Sequence, residues 1–261
     1  MKRILGLMVA VLWLSAAHAY DPTNRQEYLA KIAQAEAYYN NKCATVAGEK
    51  IYKTVPNVEG VLLMKIRPNR TDRELADPNW PGAAFGEEFA GESYIRSFLG
   101  YENPALAPTI TKERRGHINV ESRPGSRPGY RWVDVIDEKE GKRYRYTLVK
   151  QPRPQSKTGW VDTVLDRQIA PEPAPRYGVT FEDHVIPEER AMWVASSTVK
   201  AVDLKTNEVL GELTRYAISY IHLPKSSMPW LNHHVCPGSP GGDGTSTRQT
   251  VDQILIPAEE K

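Results

Sequence analysis

The chain has 261 residues, 40% of them apolar and 25% charged, with a formal net charge of +2. That is enough apolar material for one good core or two small ones. Lys2 and Arg3 fall within a stretch expected to be removed; without them the chain is neutral, so global charge gives no reason to bind nucleic acid or anionic membrane.

The chain opens MKRILGLMVAVLWLSAAHAYDP. A charged start, an apolar run over 4–14 and the small-x-small triplet Ala17-His18-Ala19 predict a secretory signal peptide over 1–19, cleaved after Ala19. The expected location is therefore the periplasm or the medium. No Cys follows the cleavage site, and no later run is apolar enough to span a membrane.

Asp21 and Pro22 supply a cap and a first helical position, and Tyr28, Ile32, Ala35 and Tyr39 follow at helical spacing. The spacing predicts a helix ending near Asn40 and Asn41, with Cys43 just beyond. Residues 58–67 read as a strand buried on both faces, with Gly60 as a bulge. From 68 to 108 prolines and glycines predict an irregular insertion carrying one short helix over 92–99.

Two hairpins come next, over 130–149 and 192–218. Each turn opens on Asp (Asp137, Asp203) and places a residue tolerant of positive φ four positions on (Gly141, Asn207), which suits a type I turn followed by a left-handed residue. Residues 160–169 are a further strand and 170–176 a stiff connector. The low-complexity run after Cys236 predicts a flexible tail over 238–261, in which 251–256 either returns as an edge strand or trails. The expected fold is one β-rich α+β domain over 20–237: a twisted antiparallel sheet with the N-terminal helix packed on it.

The two cysteines, Cys43 and Cys236, sit near the two ends of the folded region. In an exported chain they predict a disulfide. The chain holds no nucleophile elbow, HExxH, P-loop or glycine-rich dinucleotide turn, and no cofactor is expected. His222, His233 and His234, with Cys236, have zinc or copper ligand chemistry. Against that, adjacent histidines on an extended segment point opposite ways, and the bland alternative is a solvated or hydrogen-bonded pair.

Carboxylates cluster at Glu87, Glu88 and Glu92 and at Glu182, Asp183, Glu188 and Glu189; the preferred reading is a solvated charged face. The alternative is acid/base work in an envelope hydrolase using Glu87, Glu88 or Asp162. Residues 112–153 carry twelve Lys or Arg against six acids. Arg114, Arg115, Arg123, Arg127, Arg143 and Arg145 would form a face for an anionic partner, such as an envelope polymer or another exported protein. Pairing of those arginines with acids across strands is the bland reading, and the preferred one.

The stretches RYGVTFEDHVIPEERAMWVASSTVKAVDLKTNEVLGELTRY and CATVAGEKIYKTVPNVEGVLLMKIRP resemble a group of exported proteobacterial proteins with no activity attached. The resemblance implies export and a shared fold, and brings no functional residues. The functional expectation is a non-catalytic binding or interaction protein that uses its sheet surface or the 68–108 insertion.

Overall fold

The computed structural model describes residues 25–103, 117–119, 121–152, 161–219, 228–230, 233–238 and 244–259. The expected leader over 1–19 lies outside the described residues. The first elements are α1 (Arg25–Thr45), β1 (Gly48–Ile51), β2 (Val55–Val58) and β3 (Gly60–Leu63). Next come α2 (Asp72–Ala76), a 3₁₀ turn (Pro81–Phe85), α3 (Gly91–Leu99), β4 (Tyr101–Asn103) and β5 (His117–Asn119). β6 (Trp132–Ile136), β7 (Arg143–Pro152), β8 (Val161–Ile169), β9 (Tyr177–His184) and α4 (Pro187–Ala191) follow. The last are β10 (Val194–Asp203), β11 (Glu208–Ser219), β12 (His233–Cys236), α5 (Ser246–Ile254) and β13 (Leu255–Pro257).

The main sheet runs β1-β11-β10-β9-β3-β6-β7-β8, with β12 also paired to β11. The expected β-rich α+β fold with an N-terminal helix on the sheet is what the chain adopts. The sheet is mixed rather than wholly antiparallel, because β3 runs parallel to both β6 and β9. Parallel neighbours need a long crossover connection, and residues 64–131 supply it between β3 and β6. The insertion is that crossover, which fixes it to one face of the sheet.

Both hairpin turns follow the sequence reading. Asp137 Oδ1 accepts from the Lys139 and Glu140 amides, and Gly141 sits at φ +65°. Asp203 Oδ1 accepts from the Lys205 amide, and Asn207 sits at φ +59°. Gly60, expected as a bulge, is instead in unbroken register opposite Trp132. A Cβ there would fall 2.2 Å from the indole, so the glycine lets the ring lie on the strand.

Alternation along β11 assigns the two faces of the sheet. Tyr216 and Ile218 join Val194 and Ala35 of α1 in one apolar cluster, with Tyr38 and Tyr39 packed against it. The helix runs past Asn40 and Asn41, so Cys43 lies within its last turn rather than beyond it. Cys43 is bonded to Cys236 across 193 residues, with the Cα atoms 5.7 Å apart. Tyr38 donates to Glu189 Oε1 (3.0 Å) and Ser196 to Glu189 Oε2 (2.9 Å), tying α1, α4 and β10 together.

On the other face Phe181, Val199 and Leu213 pack in the main core with Phe85, Tyr94 and Phe98 of the insertion and with Val251, Ile254 and Leu255. That last group corrects the expected flexible tail. Residues 246–254 form a helix whose whole length apart from Gln253 is buried, and β13 pairs in parallel with β2. Arg248 is tolerated inside because Asp252, one turn on, lies 2.5 Å from its Nε, and because the Ser97 and Gly100 carbonyls accept from it. The insertion is also more regular than expected. It adds a capped helix at Thr71 to the short helix expected over 92–99, which is α3 and buries Tyr94, Ile95, Phe98 and Leu99. Residues 104–108 lie outside the described residues. Among the described residues no helix is long and apolar enough to cross a membrane.

Candidate functional site

Strand register brings three polar side chains into one lateral row. Asp183 on β9 lies opposite Ser197 on β10, which lies opposite Arg215 on β11. The rows on either side of it on that face are apolar, Phe181, Val199 and Leu213 on one side and Ala195 and Ala217 on the other, so the polar row is set within an apolar surface. The crossover covers it. Arg67, which follows β3, donates from Nη1 to Asp183 Oδ1 (2.7 Å) and from Nη2 to Ser197 Oγ (3.3 Å). Ser197 donates to the same carboxylate oxygen at 2.6 Å.

Phe85 lies between two guanidinium groups, 4.4 Å from that of Arg67 and 4.7 Å from that of Arg215. Phe181 covers Arg67 again at 3.8 Å. Arginine is weakly hydrated and planar, which is why aromatic faces can hold it in a buried layer. Arg215 in turn donates to Ser246 Oγ (3.2 Å) and to Glu87 Oε1. The other Glu87 oxygen is 3.2 Å from His233 Nε2.

Glu88 sits deeper, 2% exposed. Its Oε2 accepts from the Thr247 amide (3.3 Å) in the first turn of α5, where backbone N–H groups favour a carboxylate. Among the described residues its Oε1 has no partner, and neither does Arg67 Nε. Arg70 donates to the Glu88 backbone carbonyl at 2.9 Å.

These surroundings divide the two neighbouring acids. Burial opposes ionisation of Glu87, but the His233 hydrogen bond and the Arg215 charge outweigh it and hold the carboxyl at about 2. Burial pushes Glu88 up to about 7, against the pull of Arg215 and Arg67. Burial also raises the Tyr94 hydroxyl well above the usual tyrosine range.

A cleft of about 120 Å³ opens beside this layer, lined by Arg67, Arg70, Trp80, Phe85, Glu88 and Asp183, with Ala90 at its edge. Trp80 lies over Gly82, where a Cβ would come within 2.9 Å of the indole. Arg190 holds the Trp80 carbonyl at 3.0 Å. Larger cavities of about 220 and 340 Å³ each include a residue, Gly238 and Glu121 respectively, that adjoins chain outside the described residues.

The solvated-face expectation holds for Glu92, Glu182 and Glu188 and fails for Glu88 and Glu189, which are buried, and for Glu87 and Asp183, which are half-buried. Asp162 lies on β8 at the far edge of the sheet and does not join Glu87 and Glu88. His233 and His234 pair with Ser219 and Ile218, so they face opposite sides of the sheet. Cys236 is consumed by the disulfide, and His222 lies outside the described residues. Among the described residues no three His, Cys, Asp or Glu side chains are grouped to hold a metal ion.

The strand arginines of the basic segment are internally paired. Arg143 and Arg145 both bond the buried Asp134, the latter at 2.7 Å, and Arg143 also meets Glu172 at 2.8 Å. Arg145 lies 3.6 Å from the Trp132 ring centroid. Arg123 is exposed in its loop, and Arg127 exchanges backbone hydrogen bonds with Glu102. Arg114 and Arg115 lie outside the described residues.

Sequence reasoning passed over Arg67, Phe85 and Arg215. The signal for Arg215 was its place between Leu213 and Ala217 on the inward stripe of β11, where a cation needs a buried partner. No protein-family model, curated protein or solved structure matches the chain.

Proposed function

We propose that this is an exported, non-catalytic recognition protein that takes a small ligand group into the cleft between the crossover and β9. The group belongs to an envelope polymer or to another exported protein. The leader-like N-terminus and the disulfide support a periplasmic or secreted location. One observation carries the binding reading. Four ionisable side chains, Arg67, Arg70, Glu88 and Asp183, line one cleft of about 120 Å³ beside the aromatic rings of Trp80 and Phe85.

The test is native mass spectrometry of the mature chain after exposure to envelope extract, beside an Ala90→Trp variant that fills the cleft edge. Retention on the parent and loss on a variant with unchanged circular dichroism is the expected result. Equal retention by both chains would sink the proposal.

One observation favours a second reading: Glu88 and Asp183 line the same cleft, and Glu88 titrates near neutrality, as a general acid or base must. Under that reading Glu88→Gln abolishes turnover of an envelope glycan or ester and leaves its binding intact. No turnover by the parent chain across such a panel removes it.

A further inference from the structure

We propose that two copies of this chain pair along β8, outer edge to outer edge, and join their main sheets into one. The inference is independent of the cleft. β8 is the last strand of the main sheet, and among the described residues no strand lies on its outer side. Sheet proteins block an open edge with a short strand, a bulge, a proline or a lysine. β8 has none of these: its nine residues keep unbroken antiparallel register with β7 and contain no proline or lysine. The opposite end of the sheet is blunted, because β1 and β12, four residues each, share the outer side of β11.

The ladder fixes which backbone groups point outward. One residue past β8, the Ala170 amide donates to the carbonyl of Arg143 opposite it (2.9 Å). Alternation then turns the even-numbered amides and carbonyls of β8 toward β7. Those of Val161, Thr163, Leu165, Arg167 and Ile169 point outward. Arg96 of α3 meets one of them, donating to the Thr163 carbonyl (2.9 Å), which keeps a second lone pair for a partner strand.

A twofold axis through Leu165 pairs the whole strand with itself and sets every outward residue against an outward residue. Leu165 meets Leu165, Thr163 meets Arg167, and Val161 meets Ile169. Val161 and Ile169 are 48% and 63% exposed, and in this register each covers the other. Leu165 already packs on the main core, so the apolar face of one sheet continues into the next. Charge selects the same register. On the opposite face Asp162 meets Gln168 and Asp166 meets Val164. Moving the axis to Val164 sets Asp162 against Asp166, and moving it to Asp166 sets that residue against itself. Like charges directly opposite are destabilising.

The experiment is sedimentation velocity of the mature, disulfide-bonded chain over a concentration series, with amide hydrogen exchange at both ends of the series. The parent is expected to dimerise, and its Thr163, Leu165 and Arg167 amides to be protected only in the dimer. Val161→Glu and Ile169→Lys should each weaken dimerisation about tenfold. Combined in one chain they should recover it, because position 161 of one copy faces position 169 of the other and the two lie at opposite ends of the strand within a copy. Thr163→Pro removes an outward amide and spares the β7 ladder, so it should abolish the dimer and leave the fold intact by circular dichroism. A parent that is monomeric throughout the series overturns the proposal, as does a dimer that none of these variants weakens. Amides already protected in the monomer would mean that the chain covers its own edge. Protection that requires added envelope extract would give the edge to another exported protein. Either result overturns self-pairing.

Discussion

Glu87 and Glu88 are neighbours in the chain with opposite acidities, and the difference makes a signed statement about stability. Glu88 has a folded pKa near 7, raised by burial above an ordinary value near 4.5. The folded state therefore keeps a proton that the unfolded state releases. Its contribution is fully present below pH 4.5 and is lost as pH rises to 7, an effect of about 3 kcal/mol. Glu87 is held near 2, so its contribution is present above pH 4.5 and is lost as pH falls toward 2. Urea denaturation between pH 4.5 and 7 should show Glu88→Gln with a shallower decline than the parent. An unchanged slope would mean that Glu88 is solvated. Arg215→Met leaves Glu87 without its cation in a mostly buried setting and should cost about 3–5 kcal/mol. Adding Glu87→Gln should recover part of that loss, and a purely additive double variant would contradict the pairing.

At the scale of elements, the hairpins were legible because their turns carry their own chemistry: an aspartate to hold the amides, and a glycine or asparagine for positive φ. The N-terminal helix was legible from its spacing, although its C-terminal end was not. α5 was hidden because its first turns, Ser246 to Thr250, are polar yet buried, so no apolar stripe announces them. Its burial depends on partners remote in sequence: Glu88, Arg215, Ser97 and Glu49. The cleft was illegible for the same reason, since Arg67, Asp183 and Arg215 meet only through strand register and the crossover. Deleting residues 244–261 should uncover Ala201, Leu210 and Leu213 and collapse cooperative unfolding. A truncated chain that unfolds as sharply as the parent would restore the view of this segment as a tail. Ile254→Ala is the milder probe and should cost about 2–5 kcal/mol.

The whole molecule divides its tasks between the two faces of one sheet. α1 and the disulfide lie on one face; the crossover, α5 and the cleft lie on the other. A staple that closes so long a stretch of chain contributes roughly 5 kcal/mol in the chain-entropy picture. Replacing Cys43 and Cys236 by Ser should therefore lower the thermal midpoint and leave the acidity of Glu88 where it is, because the bridge is on the far face. A shifted Glu88 midpoint in that variant would show that the faces are coupled. The pH dependence of stability and the acid/base reading of the cleft both depend on Glu88 being buried and neutral below pH 7. The most direct measurement is a ¹³C NMR titration of the Glu88 side-chain carboxyl in the parent chain, assigned by its loss in Glu88→Gln. A midpoint near 7 is expected. A midpoint near 4.5, the value of a carboxyl in water, would contradict the buried layer and the function built on it.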